Sequence, residues 1–265
     1  MAMQNWKSFL MPYEQAVDEL KIKLKSIRKE YRKRNEYSPI EFVTGRVKEV
    51  SSLLEKANKF GIPLDRVGQE MEDIAGIRIM CQFVDDIDTV IELIRARRDM
   101  QILYEKDYVR NVKQSGYRSY HMIIKYTVYM AEGAKDILAE FQIRTLAMNF
   151  WATIEHSLNY KYKQHIPKEI KDKLKEAADS AFNLDEQMLE IKDEIKDAQR
   201  LFEVKSYIIT NIMNNIMTLM SIGKLAEASR YQVMLNKLVD EGEVWELNNL
   251  LESIKKDIIR YKESD

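Results

Sequence analysis

The chain has 265 residues, 45% of them apolar and 32% charged, with 42 Lys/Arg set against 43 Asp/Glu. This suits one large domain, or one domain with an extension, and excludes both a disordered chain and a uniformly basic nucleic-acid binder. The balance is uneven, because residues 1–60 carry thirteen Lys/Arg and eight Asp/Glu, and such a local positive field collects phosphates.

In chain order, Leu10, Tyr13, Val17, Leu20 and Leu24 recur at helical spacing and predict a first helix over 5–34. Ser38-Pro39 breaks it. A second helix is expected from a cap at Thr44 or Gly45 to about Phe60, stopped by Gly61-Ile62-Pro63. Alternation of Ile77, Ile79, Cys81 and Phe83 predicts a strand at 76–84, and Asp85-Asp86 opens a helix over 86–98. Further strands are expected at 101–108, 121–129 and 136–144, with a turn at Glu132-Gly133. From 145 onward the chain reads as helix, punctuated by Gly223 and Gly242. The order predicts an α+β fold, a mixed sheet of four to five strands flanked by helices. The division is expected at 205, with 206–265 forming a helical C-terminal extension.

Cys81 is the single cysteine and lies in an apolar run. It reads as a core residue of a protein in a reducing cytosol. The first residues lack the apolar region of a signal peptide. The most apolar segment, 207–222, is shorter than the ~20 residues of a membrane span. Its Asn211, Asn214, Asn215 and Thr218 form one polar stripe of a packed helix. No membrane association is expected.

The chain has no G-x-x-x-x-G-K-[ST] loop, no G-x-G-x-x-G fingerprint and no paired-histidine metal motif, since its histidines are His121, His156 and His165. A phosphate site would therefore be built from side chains. Lys48, Ser52 and Lys56 fall at i, i+4, i+8 of the expected second helix, with Arg46 at its start. Asp73 precedes the strand on which Arg78 faces away from Ile77 and Ile79. In the strand 137–144, Ile137, Ala139, Phe141 and Ile143 alternate with Glu140, Gln142 and Arg144. Glu140 and Asp73 suit a shared Mg²⁺, and Glu140 suits proton acceptance from a hydroxyl. The loop 113–121 offers Tyr117 for stacking beside Gly116, with Lys113, Arg118 and His121 as donors. Asn149, Ala152, Thr153 and His156 share a helix face. Each group alone also fits an ordinary protein surface; together they describe a nucleotide site.

The motifs Arg46-x-Lys48, Asp73-Ile-Ala-Gly-Ile-Arg78, Ser115-Gly-Tyr117-Arg-Ser-Tyr-His121 and Glu140-Phe-Gln142-Ile-Arg-Thr145 resemble the RelA/SpoT-type alarmone synthetase domain, over roughly residues 10–200. The whole is similar to a stand-alone small alarmone synthetase of Gram-positive bacteria, without the hydrolase motif of the long enzymes. The resemblance implies a nucleotidyltransferase (polymerase β palm)-like fold. It also implies Mg²⁺-dependent transfer of pyrophosphate from ATP to the 3′-hydroxyl of GDP or GTP, making the stringent-response alarmones ppGpp or pppGpp. In the implied site Arg46 and Arg78 hold adenine, Lys48, Ser52 and Lys56 the ATP phosphates, and Asp73 and Glu140 the metal. Tyr117 stacks on guanine, Lys113 and His121 meet the acceptor phosphates, and Gln142, Asn149 and Ala152 line the guanine and ribose. The resemblance further implies a cytoplasmic homotetramer, with Lys25, Phe42 and Thr44 in a cleft for a (p)ppGpp effector. Two other readings stay open: a sensor of guanine nucleotides or RNA, and a toxin that pyrophosphorylates adenine nucleotides or tRNA ends. Asp73 and Glu140 argue against the first; Tyr117 does not exclude the second.

Overall fold

The computed structural model describes residues 5–161 and 167–263. The chain runs α1 (Trp6–Lys33), β1 (Phe42–Val47), α2 (Val50–Phe60), a 3₁₀ turn (Leu64–Arg66), α3 (Val67–Glu70), β2 (Ala75–Cys81) and α4 (Val84–Arg95). It continues with β3 (Gln101–Asp107), β4 (Tyr120–Met130), β5 (Gly133–Thr145) and α5 (Leu146–Lys161). Three helices close it: α6 (Lys168–Ser221), α7 (Leu225–Glu241) and α8 (Val244–Glu263). Among the described residues no helix is long and apolar enough to cross a membrane.

The five strands form one mixed sheet in the order β1-β2-β5-β4-β3. Central β5 pairs parallel with β2 and antiparallel with β4. Period-two alternation along β5 holds: Ile137, Ala139, Phe141 and Ile143 are buried, while Glu140 and Gln142 stay partly accessible on the other face. Arg144 shares their face but is buried. The apolar face joins Leu20 and Leu24 of α1, Ile91 and Ile94 of α4 and Leu53 of α2 in one core. Cys81 lies in it, and burial pushes its thiol pKa up, so it sits there as an inert protonated thiol.

The expected helix start at Thr44 or Gly45 is corrected. Residues 42–47 are an edge strand antiparallel to β2, and the helix begins at Val50. Gly45 decides this: a Cβ there would fall 2.8 Å from Ile77 Cδ1 and 2.9 Å from Val17 Cγ1. The strand is pressed between β2 and α1 where only glycine fits without adjustment. Lys48 consequently precedes α2 rather than riding on it. Gly61 ends α2 in the left-handed conformation, φ 65°.

The chain separates into two compact units, residues 1–189 and 190–265. The division falls inside α6, earlier than position 205. No residue between Asp185 and Ile208 is buried, and the second unit has its own core of Ile212, Leu219, Tyr231, Leu235, Leu247 and Ile254 with their neighbours.

In the first unit Thr145 ends β5 and caps α5. Its Oγ1 accepts from Met148 N at 3.1 Å and donates to Asp185 Oδ2 at 2.5 Å. Burial pushes the Asp185 carboxyl up to about 6, against the smaller opposing effect of the Thr145 hydrogen bond. Because the folded pKa exceeds the unfolded value, this stabilisation is complete below the ordinary aspartate range and is lost as pH rises through about 6. Asp185→Asn should therefore flatten the pH dependence of unfolding between about pH 4 and 7, and stabilise the protein near pH 7.5 by on the order of 1–3 kcal/mol. Denaturant titration across that pH range checks it.

Candidate active site

The polar face of the sheet builds a cleft of about 250 Å³ lined by Thr44, Gly45, Arg46, Lys48, Asp73, Gly76, Arg78, Glu140 and Gln142. Strand register explains the convergence. One row across β1, β2 and β5 reads Arg46, Gly76, Glu140; the next reads Thr44, Arg78, Gln142 and continues to His121 on β4. Gly76 leaves the floor open, since a Cβ there would meet nothing nearer than Arg46 O at 3.8 Å.

Asp73, just before β2, receives two ammonium groups: Lys48 Nζ at 2.6 Å on Oδ2 and Lys56 Nζ at 2.8 Å on Oδ1. The backbone of Lys48 is fixed by donation to Ile74 O at 2.8 Å. Burial favours protonation of Asp73, yet the two lysines overcome it and hold the carboxyl below its ordinary range. Thus the lysines converge although Lys48 is off the helix. Ser52, half-buried on α2, does not line the cleft. The Arg78 guanidinium pKa is lowered by burial first and then by the positive charges of Arg144 and Arg46. The cleft is therefore electropositive and suited to an anion.

Glu140 joins this cleft to a closed ring of hydrogen bonds. His121 Nδ1 donates to Glu140 Oε1 at 2.8 Å, and Gln142 Nε2 donates to Oε2 at 2.7 Å. Facing a carboxylate, Nδ1 carries the proton, which leaves Nε2 to accept from the Tyr117 hydroxyl at 2.8 Å. Arg144 Nη2 donates to Tyr117 Oη at 2.6 Å and to Gln142 Oε1 at 2.7 Å, completing the ring, while its Nε donates to buried Ser119 at 3.1 Å. Arg78 Nε also donates to Gln142 Oε1, at 3.3 Å. Burial raises the Glu140 pKa, but the hydrogen bonds from His121 and Gln142 outweigh it, so Glu140 titrates below its ordinary value and is ionised at neutral pH.

The loop 113–118 stands beside the ring. Lys113 Nζ lies 4.2 Å from the Tyr108 ring centroid and 4.8 Å from that of Tyr117. Its pKa is lowered, chiefly by burial. Tyr108, which sequence patterning does not single out, also meets His121 edge-on at 5.2 Å; its position at the end of β3, beside a basic loop, is the available signal. Sequence pattern groups Arg144 with the polar face of β5 without assigning it to the site, because only the fold shows that it joins Tyr117 to Gln142. Arg118 faces α6 and not the ring, so it is not one of the site's donors. Ala152 packs with Trp151, Ala178 and Tyr117. Asn149 is half-buried, and its Oδ1 is buried without a hydrogen-bond partner among the described residues.

Lys25 and Phe42 line a separate basic cleft with Arg28, Lys29, Arg32 and Val43, whereas Thr44 lies in the central cleft. A roomier hollow of about 720 Å³, near Glu19, Lys23, Asp99 and Asp136, is chemically quieter. Four of its charged residues pair internally, Lys23 with Asp99 and Lys125 with Asp136, both at 2.7 Å. Convergent charge rather than volume marks the site. Gly76→Val should keep the thermal unfolding midpoint within about 4 °C, because the strand accepts a β-branched residue facing open space. It should weaken nucleotide binding about tenfold or more by filling the floor; nucleotide titration and a melt on the same sample check both.

Residues 45–165 match the family model described as a region found in RelA / SpoT proteins. The GTP pyrophosphokinase YjbM of Bacillus subtilis is 54% identical over 202 residues, spanning 76% of this chain and 95% of the relative. The crystal structure of small alarmone synthetase 1 from Bacillus subtilis bound to its product pppGpp is similar with a TM-score of 0.70 and 55% identity, covering 73% of this chain and 99% of that one. The structure of the same synthetase bound to AMPCPP matches with a TM-score of 0.65 and 51% identity, covering 74% and 100%. With this similarity over three-quarters of its length, the chain belongs to the RelA/SpoT family, among its small alarmone synthetases.

Proposed function

We propose that this chain is a (p)ppGpp synthetase that transfers pyrophosphate from ATP to the 3′-hydroxyl of GDP or GTP and releases AMP. The observation that carries this reading is the position of Glu140. One ionised carboxylate belongs both to the cleft of Arg46, Lys48, Asp73 and Arg78 and to the ring of Tyr117 and His121. A group shared by two basic half-sites is where the reacting ends of two nucleotides would meet. The names of the relatives, and the pppGpp and AMPCPP bound in related structures, agree with it.

On the donor side, Arg46 and Arg78 face the adenine from neighbouring strands. Lys48 and Lys56 turn from Asp73 to the triphosphate, with the Ser52 hydroxyl beside them. On the acceptor side Tyr117 stacks on guanine, and Lys113 and His121 meet the phosphates, His121 by giving up its bond from the Tyr117 hydroxyl and donating from an Nε2 that has taken up a proton. Gln142 and Ala152 line the guanosine. The buried, unpartnered Asn149 Oδ1 accepts from the base edge. The 3′-oxygen attacks the β-phosphorus, the bond from that phosphorus to AMP breaks, and the hydroxyl proton passes to Glu140.

Asp73 and Glu140 would hold a divalent cation. Among the described residues no three His, Cys, Asp or Glu side chains gather to hold a metal. Two carboxylates suit a hard divalent cation such as Mg²⁺, which when bound would supply neutralisation of phosphate charge. The polymerase β palm-like fold, a homotetramer with the (p)ppGpp effector in the basic cleft of Lys25 and Phe42 near Thr44, and a cytoplasmic location complete the proposal.

Purified protein with Mg²⁺, ATP and GDP or GTP should release AMP and form ppGpp or pppGpp, resolved by ion-exchange chromatography. AMP release only with adenine nucleotides or tRNA as acceptor, or none at all, overturns the reading. Glu140→Gln should lower turnover by about 10²–10⁴-fold; full activity in that variant would remove Glu140 from its role.

A further inference from the structure

Loop 113–118 is held from behind by the first part of α6. Arg118 Nη1 donates to Gly116 O at 3.2 Å within the loop and to Ala178 O at 3.4 Å on α6. Its Nη2 donates to Asp179 Oδ1 at 3.0 Å, and its guanidinium lies 4.5 Å from the Phe182 ring centroid. Gly116 adopts φ 87°, and a Cβ there would fall 2.6 Å from Ala178 Cβ, so loop and helix touch where no side chain fits. Ala178 packs with Trp151, Ala152 and Tyr117, and Trp151 Nε1 donates to Leu174 O at 2.7 Å. Within the loop, Gly116 N bonds to Lys113 O at 2.8 Å and Lys113 N to Tyr117 O at 3.3 Å. A single turn therefore carries both Lys113 and Tyr117, and its anchor is α6.

We propose that Arg118 and Asp179 are positioning residues for the acceptor nucleotide: their ion pair clamps the loop on α6 and pre-orders Tyr117 and Lys113 for the guanine nucleotide. The proposal rests on the acceptor-site reading above. Neither residue belongs to the donor cleft. Without the clamp the loop must be ordered at the moment of binding, and that entropic cost falls on the acceptor alone. The two side chains suit a local clamp, because Arg118 is 11% exposed and so well fixed, while Asp179 is 49% exposed and contributes little to global stability.

The test uses the full chain with Asp179→Asn, Asp179→Glu and Arg118→Lys. Asp179→Asn and Arg118→Lys should raise the KM for GDP and GTP about tenfold, and leave the KM for ATP and kcat within about twofold. Asp179→Glu, which keeps the charge, should regain most of the loss. Backbone amide hydrogen exchange over 113–118 should accelerate in Asp179→Asn and recover in Asp179→Glu. An unchanged acceptor KM overturns the proposal, as does a joint deterioration of both KM values and kcat with a lowered unfolding midpoint. If the wild-type chain makes no AMP with guanine nucleotides, the acceptor reading falls. The exchange measurement then decides the clamp by itself, and unchanged exchange in Asp179→Asn overturns it.

Discussion

The site depends on a single constraint: a largely buried carboxylate must remain ionised at the junction of two cationic half-sites. Burial alone would push the Glu140 pKa up. The His121 and Gln142 hydrogen bonds reverse this, and the same two groups bind Glu140 into the ring through Tyr117 and Arg144. Charge state and position are thus set by one set of contacts. Removing any member alters both, because a buried polar network is satisfied as a whole or leaves an uncompensated group behind.

The sheet topology makes the ring possible. β5 is the central strand, parallel to β2 and antiparallel to β4. Arg78 and His121, distant in sequence, therefore both stand opposite Gln142. Two glycines, neither in a left-handed conformation, provide the space. Gly45 lets β1 pack against α1 and carry Arg46 to the cleft, and Gly76 keeps the floor between Arg46 and Glu140 open. In the proposed function the Asp73–Lys48–Lys56 cluster closes the donor side with ion pairs that a triphosphate replaces, since phosphate offers the lysines the same charge-assisted hydrogen bonds as the carboxylate.

Much of this is legible in the residues. The alternation in 137–144 separates the core face from the polar face correctly, and Arg46, Lys48, Asp73, Arg78, Glu140 and Gln142 meet in one cleft. β1 reads as helix because it is short and carries a glycine whose reason is a tertiary contact with Val17 and Ile77. The helical stripe of Lys48, Ser52 and Lys56 fails for the same reason, and it is Asp73 that brings the two lysines together. Arg118 looks like a site donor because it neighbours Tyr117 in sequence; only the packing of α6 reveals that it points away. Thr44 and Phe42 share a strand face yet line different clefts: α1 supplies the residues beside Phe42, while β2 and β5 surround Thr44.

By itself the sequence determined the α+β class, the polar face of β5, the residue types of a phosphate and nucleotide site, and the resemblance that the similarity to known synthetases then established. These are local properties: side-chain period, charge and motif spacing. The tertiary structure decided which charges face one another, that Glu140 is ionised and shared, that Arg144 closes the ring, and that α6 holds the loop. Those properties arise from burial and from contacts between residues far apart in the chain, and no local pattern encodes the electrostatic environment that such contacts create.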